Sequence, residues 1–409
     1  MAISVWEQST YFAKKDLVIV GCGFVGLWTA YEAIQKNPKL NITILERGVI
    51  PSGASTRNAG FSCFGSVSEL MYDVALMGEE AMLETVKMRY DGLQRIQKVF
   101  KDKDIDYNQW GGYELFEGQE KIAKNKKESK GKKERDDKGS KKEGYDISKL
   151  DDDIAYLNKI LAPVLKTPKK NGKYLPIYTN ASKEINKLGF QGIEALAYNK
   201  LEGQLNSAKL VLALQKAVQA KGVQILFSTE VKKFKSHAKG VTIETNLDAP
   251  IEAKQMLVCT NGFAKLLIPS LDVVPARGQV FVTEPIPNLK FKGCFHYDEG
   301  YYYFRNLGNR LLLGGARNAD FKNEKTYSLD TSATIQKVLE QFMMQRILPK
   351  GSKKPKIELR WSGTMGMGKI KKPIIQEVQP NVYCAVRMSG MGVAIAPIVA
   401  QKATQLMKL

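Results

Sequence analysis

Histidine, paired cysteine and long apolar runs are what this sequence has little of. Its two histidines, His237 and His296, are too few to build a histidine metal site or a serine–histidine–acid hydrolase. The five cysteines are scattered and none forms a C-x-x-C pair, which argues against structural zinc and fits a reducing cytoplasm. No run of about 18 apolar residues occurs, and the first residues lack a secretory signal pattern. The sequence therefore predicts a cytoplasmic protein with no membrane span and no metal site.

The formal net charge of +20 at pH 7 is unevenly distributed. Residues 121–143 hold ten Lys and one Arg against five acidic residues, a local excess of six positive charges. One interpretation is a patch that binds nucleic acid or an anionic membrane surface. Because the segment has no aromatic residue and no apolar periodicity, we favour a solvated, flexible insertion over 120–145 and expect no nucleic-acid partner.

A glycine-rich turn between a predicted strand and a predicted helix is the most specific local signal. Residues 17–26 read Leu-Val-Ile-Val-Gly-Cys-Gly-Phe-Val-Gly. Gly21 permits the tight turn, Gly23 lets the backbone approach a pyrophosphate, and Gly26 lets the helix pack closely on the strand. Glu46 follows 20 residues after Gly26, at the end of the next predicted strand, where an acid can bind ribose hydroxyls. The pattern predicts a dinucleotide-binding βαβ unit.

Similar βαβ patterns recur in separated parts of the chain, over 15–65, 195–265 and 375–409. Between them, alternating apolar residues over 278–283, 300–305 and 310–315 are typical of antiparallel strands. We therefore predict an α/β fold, in which a Rossmann-like domain of the glutathione-reductase type carries an inserted α+β substrate domain on a largely antiparallel sheet. The first domain is expected to comprise 1–110, 195–265 and 360–409, and the substrate or cap domain 111–194 and 266–359. This interleaving favours a flavoprotein over a nicotinamide dehydrogenase, which usually keeps its Rossmann half contiguous.

The motifs at 21–26, 45–47, 51–61, 259–262 and 388–393 together resemble the FAD-dependent D-amino-acid-oxidase-like superfamily, which includes glycine oxidase and sarcosine oxidase. The resemblance implies FAD as cofactor and a hydride transfer to flavin N5 from the carbon beside an amine nitrogen, after which the imine hydrolyses. It also implies a small amine or amino-acid substrate and oxygen or another electron acceptor. Sarcosine oxidase attaches its flavin through a cysteine in a region where this chain has none, so non-covalent FAD is expected. The strand at 311–314 lacks the lysine that those oxidases use with oxygen, which slightly favours a dehydrogenase.

Residues of all five motifs, with Val231 near the adenine and Gly363, are implied to bind the cofactor. The loop at 52–61 offers hydroxyls and glycines that can wrap a pyrophosphate, and the glycines before the last helix let its N–H groups face the flavin. The implied cofactor-binding residues are Gly21, Gly23, Phe24, Val25, Gly26, Glu46, Arg47, Ser55, Thr56, Arg57, Asn58, Ala59, Gly60, Phe61, Val231, Thr260, Asn261, Gly262, Gly363, Gly390, Met391, Gly392 and Val393.

Tyr301, Tyr303 and Arg305 fall on one face of a predicted strand, because alternate residues point the same way. They can form a wall over the flavin that holds a carboxylate, or they can be a packed aromatic strand with a surface arginine. His296 can point into the same cavity, although a hydrogen-bonded structural histidine is the favoured interpretation.

Met365 stands where the resemblance to glycine oxidase places the arginine that clamps the substrate carboxylate. This departure puts the usual amino-acid binding mode in doubt. Arg317, Arg360 or Arg387 could take over the role.

The leading hypothesis is an FAD-dependent amine or amino-acid oxidase or dehydrogenase. One alternative is a flavoprotein that acts on modified tRNA, since some superfamily members are flavin domains of tRNA-modifying enzymes and the net charge would suit RNA. Another is a flavin subunit that only passes electrons onward. If the cofactor were NAD, the protein would be a plain NAD-dependent dehydrogenase. That alternative would leave the 52–61 loop and the terminal glycine motif unexplained.

Overall fold

This computed structural model describes residues 3–118 and 145–409. In it, turns at glycine residues separate short helices and strands. The insertion predicted over 120–145 falls almost entirely outside the described residues.

The α-helices of the described residues follow in chain order: α1 (Val5–Ser9), α2 (Phe24–Lys36), α3 (Ala54–Arg57), α4 (Val67–Met77), α5 (Glu79–Val99), α6 (Asp102–Ile105), α7 (Leu150–Val164), α8 (Ile185–Leu188), α9 (Ser207–Gln219), α10 (Ala333–Phe342) and α11 (Gly392–Leu406). A π-helical turn, Met343–Ile347, extends α10.

The strands are β1 (Lys15–Val20), β2 (Ile42–Leu45), β3 (Phe61–Ser62), β4 (Gly112–Phe116), β5 (Lys169–Lys170), β6 (Lys173–Tyr174), β7 (Tyr178–Asn180), β8 (Ala195–Asn199), β9 (Gly203–Gln204), β10 (Gln224–Leu226), β11 (Val231–His237), β12 (Gly240–Thr245), β13 (Ile251–Val258), β14 (Val274–Thr283), β15 (Cys294–Tyr297), β16 (Tyr302–Leu307), β17 (Arg310–Gly315), β18 (Ile357–Met367), β19 (Ile374–Gln379) and β20 (Val382–Val386).

β1 lies within a first sheet of order β10-β2-β1-β13-β12-β11, and β20 pairs with β13 while β19 pairs with β20. β10, β2, β1, β13 and β20 run parallel. Their carboxyl ends therefore meet at one edge, where α/β folds bind ligands.

Both faces of β1 are buried, which explains its continuous apolar run. Leu17 and Ile19 pack into the core that also holds Trp28 of α2. Val18 faces the opposite core with Val241 of β12. The strand is thus fixed between a helical layer and the β11–β13 meander.

A second sheet has the order β18-β14-β17-β16-β15-β4-β8-β7, and it is antiparallel except where β15 pairs with β4. One face packs on α10, where Phe295 and Phe304 stack 4.9 Å apart beside Leu339. The other face carries His296 and Tyr303, which are direct neighbours across β15 and β16. The predicted α/β fold with a largely antiparallel second sheet is confirmed.

The structure departs from the predicted elements in several places. Apolar residues over 69–101 recur at helical spacing, which predicts one helix, but the segment forms two, because Gly78 adopts a φ of +85° between α4 and α5. β18 was not predicted; its half-exposed face and its two glycines weaken the strand signal. β16 begins at Tyr302, so Tyr301 precedes the strand. β8 and β18, which overlap the stretches assigned from the sequence to the first domain, pair into the second sheet.

Candidate active site

A cavity of about 630 Å³ runs from the carboxyl end of β1 to the open face of the second sheet. Most of the residues predicted from the sequence line it: Gly21, Gly23, Phe24, Val25, Glu46, Arg47, Ser55, Arg57, Asn58, Ala59, Phe61, Val231, Thr260, Asn261, Tyr301, Tyr303, Gly363, Met365, Gly390, Met391, Gly392 and Val393. Gly26, Thr56, Gly60, Gly262 and Arg305 do not line it.

The glycine turn leaves no space for side chains. Gly21 has a φ of +108°, which strains an L side chain, and a Cβ at Gly26 would collide with the Gly21 carbonyl oxygen. A Cβ at Gly23 would lie 2.9 Å from Ser55 Oγ. Ser55 Oγ accepts a 2.9 Å hydrogen bond from the Phe24 amide at the start of α2. The turn therefore packs closely against its own chain, and Gly21 and Gly23 line the cavity.

Glu46 is held in place at the end of β2. Its Oε2 accepts from the Cys22 amide at 3.1 Å and its Oε1 from the Gly48 amide at 3.0 Å. Next to it, the Arg47 guanidinium lies 4.1 Å from the centre of the Phe263 ring. These contacts fix the carboxylate and the guanidinium at the same end of the cavity.

The loop over 51–61 is tied to the second sheet. Arg57 Nη1 donates to the Ser362 carbonyl at 3.0 Å, and Trp361 Nε1 donates to the Arg57 carbonyl at 3.0 Å. Within the loop, the Asn58 side chain donates to the Ala54 and Ser55 carbonyls. The loop therefore closes one wall of the cavity with its backbone fixed.

Aromatic and thioether groups line the far end. Phe61 meets His296 and Tyr303 edge-on, at 5.2 and 5.9 Å between ring centres. Burial raises the pKa of Tyr303 to about 12, so its phenol stays protonated near neutral pH. The Met365 side chain lies beside two glycines: its Cε is 3.2 Å from where a Cβ of Gly278 would be, and its Sδ 3.7 Å from that of Gly390.

His296 lines the same end and is only 9% exposed. Burial lowers its pKa to about 4, against a smaller opposing effect of Glu69, so the imidazole is neutral near pH 7. Its Nε2 has no hydrogen-bond partner among the described residues. The part of the chain that the structure describes shows no hydrogen bond at this nitrogen, and the favoured interpretation of a hydrogen-bonded structural histidine stays a prediction.

The arginines weighed from the sequence lie in different places. Arg305 is buried behind the cavity wall, where its Nη1 donates to the Gly60 carbonyl at 3.4 Å. It shares a strand face with Tyr303, as predicted, but the loop at Gly60 covers it. Arg360 bonds Glu340 and Arg387 bonds Asp272. Of the three substitutes considered, Arg317 lines the cavity.

A charged cluster that the sequence did not reveal borders this end; we call Glu69, Asp73, Arg89 and Lys371 the acid–base cluster. Lys371 Nζ lies 3.0 Å from Glu69 Oε1 and 2.9 Å from Asp73 Oδ1, and Arg89 Nη1 lies 3.3 Å from Glu69 Oε1. Burial raises the pKa of Glu69, but Lys371 and Arg89 together bring it down to about 2. Glu69 and Asp73 are four residues apart on α4, which is a visible helical pairing, whereas nothing local points to Lys371.

Residues 16–406 match the DAO family of FAD dependent oxidoreductases, so the chain belongs to that family and FAD is its cofactor. It is 23% identical over 400 residues to the probable oxidoreductase OrdL of Haemophilus influenzae, covering 94% of this chain and 81% of that protein.

Two solved structures share the fold. Glycine oxidase from Geobacillus kaustophilus is 19% identical with a TM-score of 0.68, covering 97% of this chain and 95% of that one. L-α-glycerophosphate oxidase from Mycoplasma pneumoniae, with FAD bound, is 16% identical with a TM-score of 0.71, and the coverage is again 97% and 95%.

The cavity fits FAD by its donor set as well as its shape. Thr260 Oγ1, Thr364 Oγ1 and Ser389 Oγ line it, are buried, and have no hydrogen-bond partner among the described residues. Buried hydroxyls are normally paired, so these three suit a polar ligand. The N-terminus of α11 begins beside them at Gly392 with no side-chain cap, and its free N–H groups favour an electron-rich group.

No group of three or more potential metal ligands occurs within 3–118 and 145–409. In the same ranges, no helix is long and apolar enough to cross a membrane.

Proposed function

We propose that this oxidoreductase oxidises a C–N bond of a small amine or amino acid. The observation that carries the proposal is the continuity of one cavity, from the glycine turn at Gly21 to an end lined by Tyr301, Tyr303 and Met365. Bound FAD would supply at N5 the acceptor of a hydride from the carbon beside the nitrogen, and water would hydrolyse the resulting imine. The likeness to glycine oxidase supports the choice of an amine.

We assign the cofactor to the motif residues that line the cavity. Gly21 and Gly23 would admit the pyrophosphate, Glu46 would bind the ribose, and Val231 would contact the adenine. The α11 N-terminus at Gly392 would stabilise negative charge on the reduced ring. Thr364 and Ser389 are added to the sequence-based set, because their hydroxyls lack protein partners.

We assign the substrate to the far end. Arg317 replaces Arg305 as the cation proposed to hold a substrate carboxylate, because it lines the cavity and Arg305 does not. The guanidinium of Arg317 lies 4.8 Å from the Phe321 ring centre, which limits its movement. Tyr301 and Tyr303 would orient the amine through their phenols. Met365 would supply an apolar wall.

Neither His296 nor Tyr303 can take a proton from an ammonium group near neutral pH. Burial puts the pKa of His296 at about 4 and that of Tyr303 at about 12. The substrate would therefore have to lose its proton before or during binding. We expect its apparent affinity to rise about tenfold per pH unit below the pKa of its own ammonium group. If the affinity instead reached a plateau near pH 7, set by the ionisation of an enzyme group, this expectation would be contradicted.

The deciding experiment is anaerobic mixing of the FAD-loaded protein with a panel of reductants. Glycine, N-methylglycine, L-proline, L-alanine and D-alanine test the C–N proposal, and L-α-glycerophosphate tests C–O oxidation, in view of the second fold relative. We expect at least one amine to bleach the visible flavin absorption, and re-oxidation with air or a quinone then separates oxidase from dehydrogenase. Bleaching by glycerophosphate alone, or by no compound, would refute the proposal.

We infer a cytoplasmic location from the cysteines. All five, Cys22, Cys63, Cys259, Cys294 and Cys384, are buried and free, which supports a reducing compartment.

A further inference from the structure

The imidazole of His296 is a buried polar group whose partner the fold does not supply. Its Nε2 has no hydrogen-bond partner among the described residues, and the side chain lines the cavity. A buried nitrogen left unpaired is unfavourable, so such groups usually await a ligand or an ordered water.

Two acidic residues close to His296 already have hydrogen-bond partners. Glu114, its direct neighbour on β4, accepts hydrogen bonds from Ser66 Oγ and from Ser68, and thereby holds the start of α4. Glu69 and Lys371 of the acid–base cluster bond each other. These neighbouring groups therefore do not supply a partner for the Nε2 of His296.

The ring is held in a fixed position. Phe61 packs edge-on against it at 5.2 Å, and Tyr303 is its direct neighbour across the β15–β16 pair. Phe61 belongs to the loop that we assign to FAD, and Tyr303 to the wall that we assign to the substrate. His296 thus lies where these two assigned regions meet.

We propose that His296 binds the substrate directly, through a hydrogen bond between Nε2 and a polar group of the bound amine or amino acid. The inference rests on the proposed function for the identity of the ligand. Because burial lowers the pKa of His296 to about 4, the imidazole is neutral near pH 7 and does not take up a proton. It therefore orients the substrate and does not act as a base.

Two variants test this. His296→Phe keeps the ring shape and the contact with Phe61 but removes the nitrogen, and His296→Gln keeps a hydrogen-bonding group near the position of Nε2. We expect His296→Phe to raise the apparent Kd of the best amine in the panel at least tenfold, with unchanged FAD content. We expect His296→Gln to stay within about threefold of wild type.

The stability of the same variants distinguishes substrate binding from a structural role. Without ligand, His296→Phe should melt about 1–2 °C higher than wild type, because it removes an unpaired buried nitrogen. A lower melting temperature would show that the fold itself pairs the imidazole, and it would overturn the inference. An unchanged Kd for His296→Phe would overturn it as well.

Anthranilate separates failure of this inference from failure of the proposed function. It carries an amine and a carboxylate but has no hydrogen on the carbon beside the nitrogen, so it can bind without being oxidised. If no amine bleaches the flavin but anthranilate binding to the FAD-loaded protein weakens tenfold in His296→Phe, only the proposed function fails. If amines bleach the flavin and His296→Phe binds them normally, only the His296 inference fails. If no amine bleaches the flavin and wild type does not bind anthranilate, both fail.

Discussion

The two ends of the cavity are built in different ways. At the β1 end, much of the lining comes from one stretch of the chain, from Gly21 to Asn58, with Glu46 and Arg47 between them. At the second-sheet end, much of the lining consists of long side chains from α4, β15, β16, β18 and the segments at Tyr301, Arg317 and Lys371. The first end is specified by local chain geometry, and the second by long-range packing. Substitutions should accordingly act on FAD retention at one end, and on stability or turnover at the other.

The largest effect is expected at the β1 end. Gly23→Val should weaken FAD binding by more than about 100-fold, since a branched side chain would occupy the approach to the pyrophosphate and crowd Ser55. The purified variant should be colourless, as measured by flavin absorption per protein. Gly23→Ala is the graded control: its Cβ meets the Ser55 hydroxyl, which can rotate, so part of the colour should remain. A fully yellow Gly23→Val protein would refute the placement of the cofactor.

The acid–base cluster gives the next effect, on stability. Lys371→Met should lower the free energy of unfolding by about 2–4 kcal/mol, because Asp73 would lose its ion-pair partner and Glu69 would keep Arg89 alone among the described residues. Lys372→Met is the matched control. Lys372 pairs with Glu84 at an exposed site, where an ion pair contributes at most about 1 kcal/mol. Equal losses in the two variants, measured by urea unfolding, would show that the cluster has no special role.

Glu202 should make stability depend on pH. Burial raises the pKa of Glu202 to about 8, although its Oε1 accepts from the Phe64 amide. A carboxyl with a raised folded-state pKa contributes its stability fully below about pH 4.5, and that contribution is lost as the pH rises through 8. Glu202→Gln should therefore match wild type near pH 4.5 and exceed it by about 1–3 kcal/mol at pH 8.

Urea unfolding at several pH values checks the Glu202 prediction. Glu84 is exposed, and its hydrogen bond with Lys372 lowers the pKa of its carboxyl. Glu84→Gln should therefore leave the slope of stability against pH between pH 5 and 8 as in wild type. If Glu202→Gln also keeps the wild-type slope, Glu202 is ionised in the folded protein and the prediction is wrong.

The smallest effect is expected at Tyr301. Tyr301→Phe should reduce amine turnover about 3- to 10-fold, the loss expected when one hydrogen bond is removed, while FAD content stays unchanged. Tyr302→Phe is the control, because that ring stacks 4.5 Å from Phe342 on the opposite face of the sheet. Wild-type turnover in Tyr301→Phe would remove this tyrosine from the substrate wall.

The sequence predicted the local part of this molecule well. The βαβ unit, the position of Glu46 at the end of β2 and the start of the last helix follow from glycine spacing and buried strands, which are short-range properties. The face shared by Tyr303 and Arg305 also follows from strand alternation. Whether Arg305 reaches the cavity does not, because that depends on a loop more than 200 residues away in the chain.

Long-range features escaped the sequence for similar reasons. Lys371 bonds Glu69 across 302 residues, so no local pattern reveals the pair. β18 is half exposed and contains Gly363 and Gly366, and its identity as a strand comes from pairing with β14 along its length. The sequence allows His296 to point into the cavity, but only the structure shows that its Nε2 lacks a partner among the described residues.

The bonds that join Arg57 to Ser362 and Trp361 have a consequence for assembly. They attach the loop at 51–61, which belongs to the β1 end, to an edge strand of the other sheet. We therefore expect the two segments to respond to the coenzyme together: adding FAD to the apoprotein should slow amide hydrogen exchange in both.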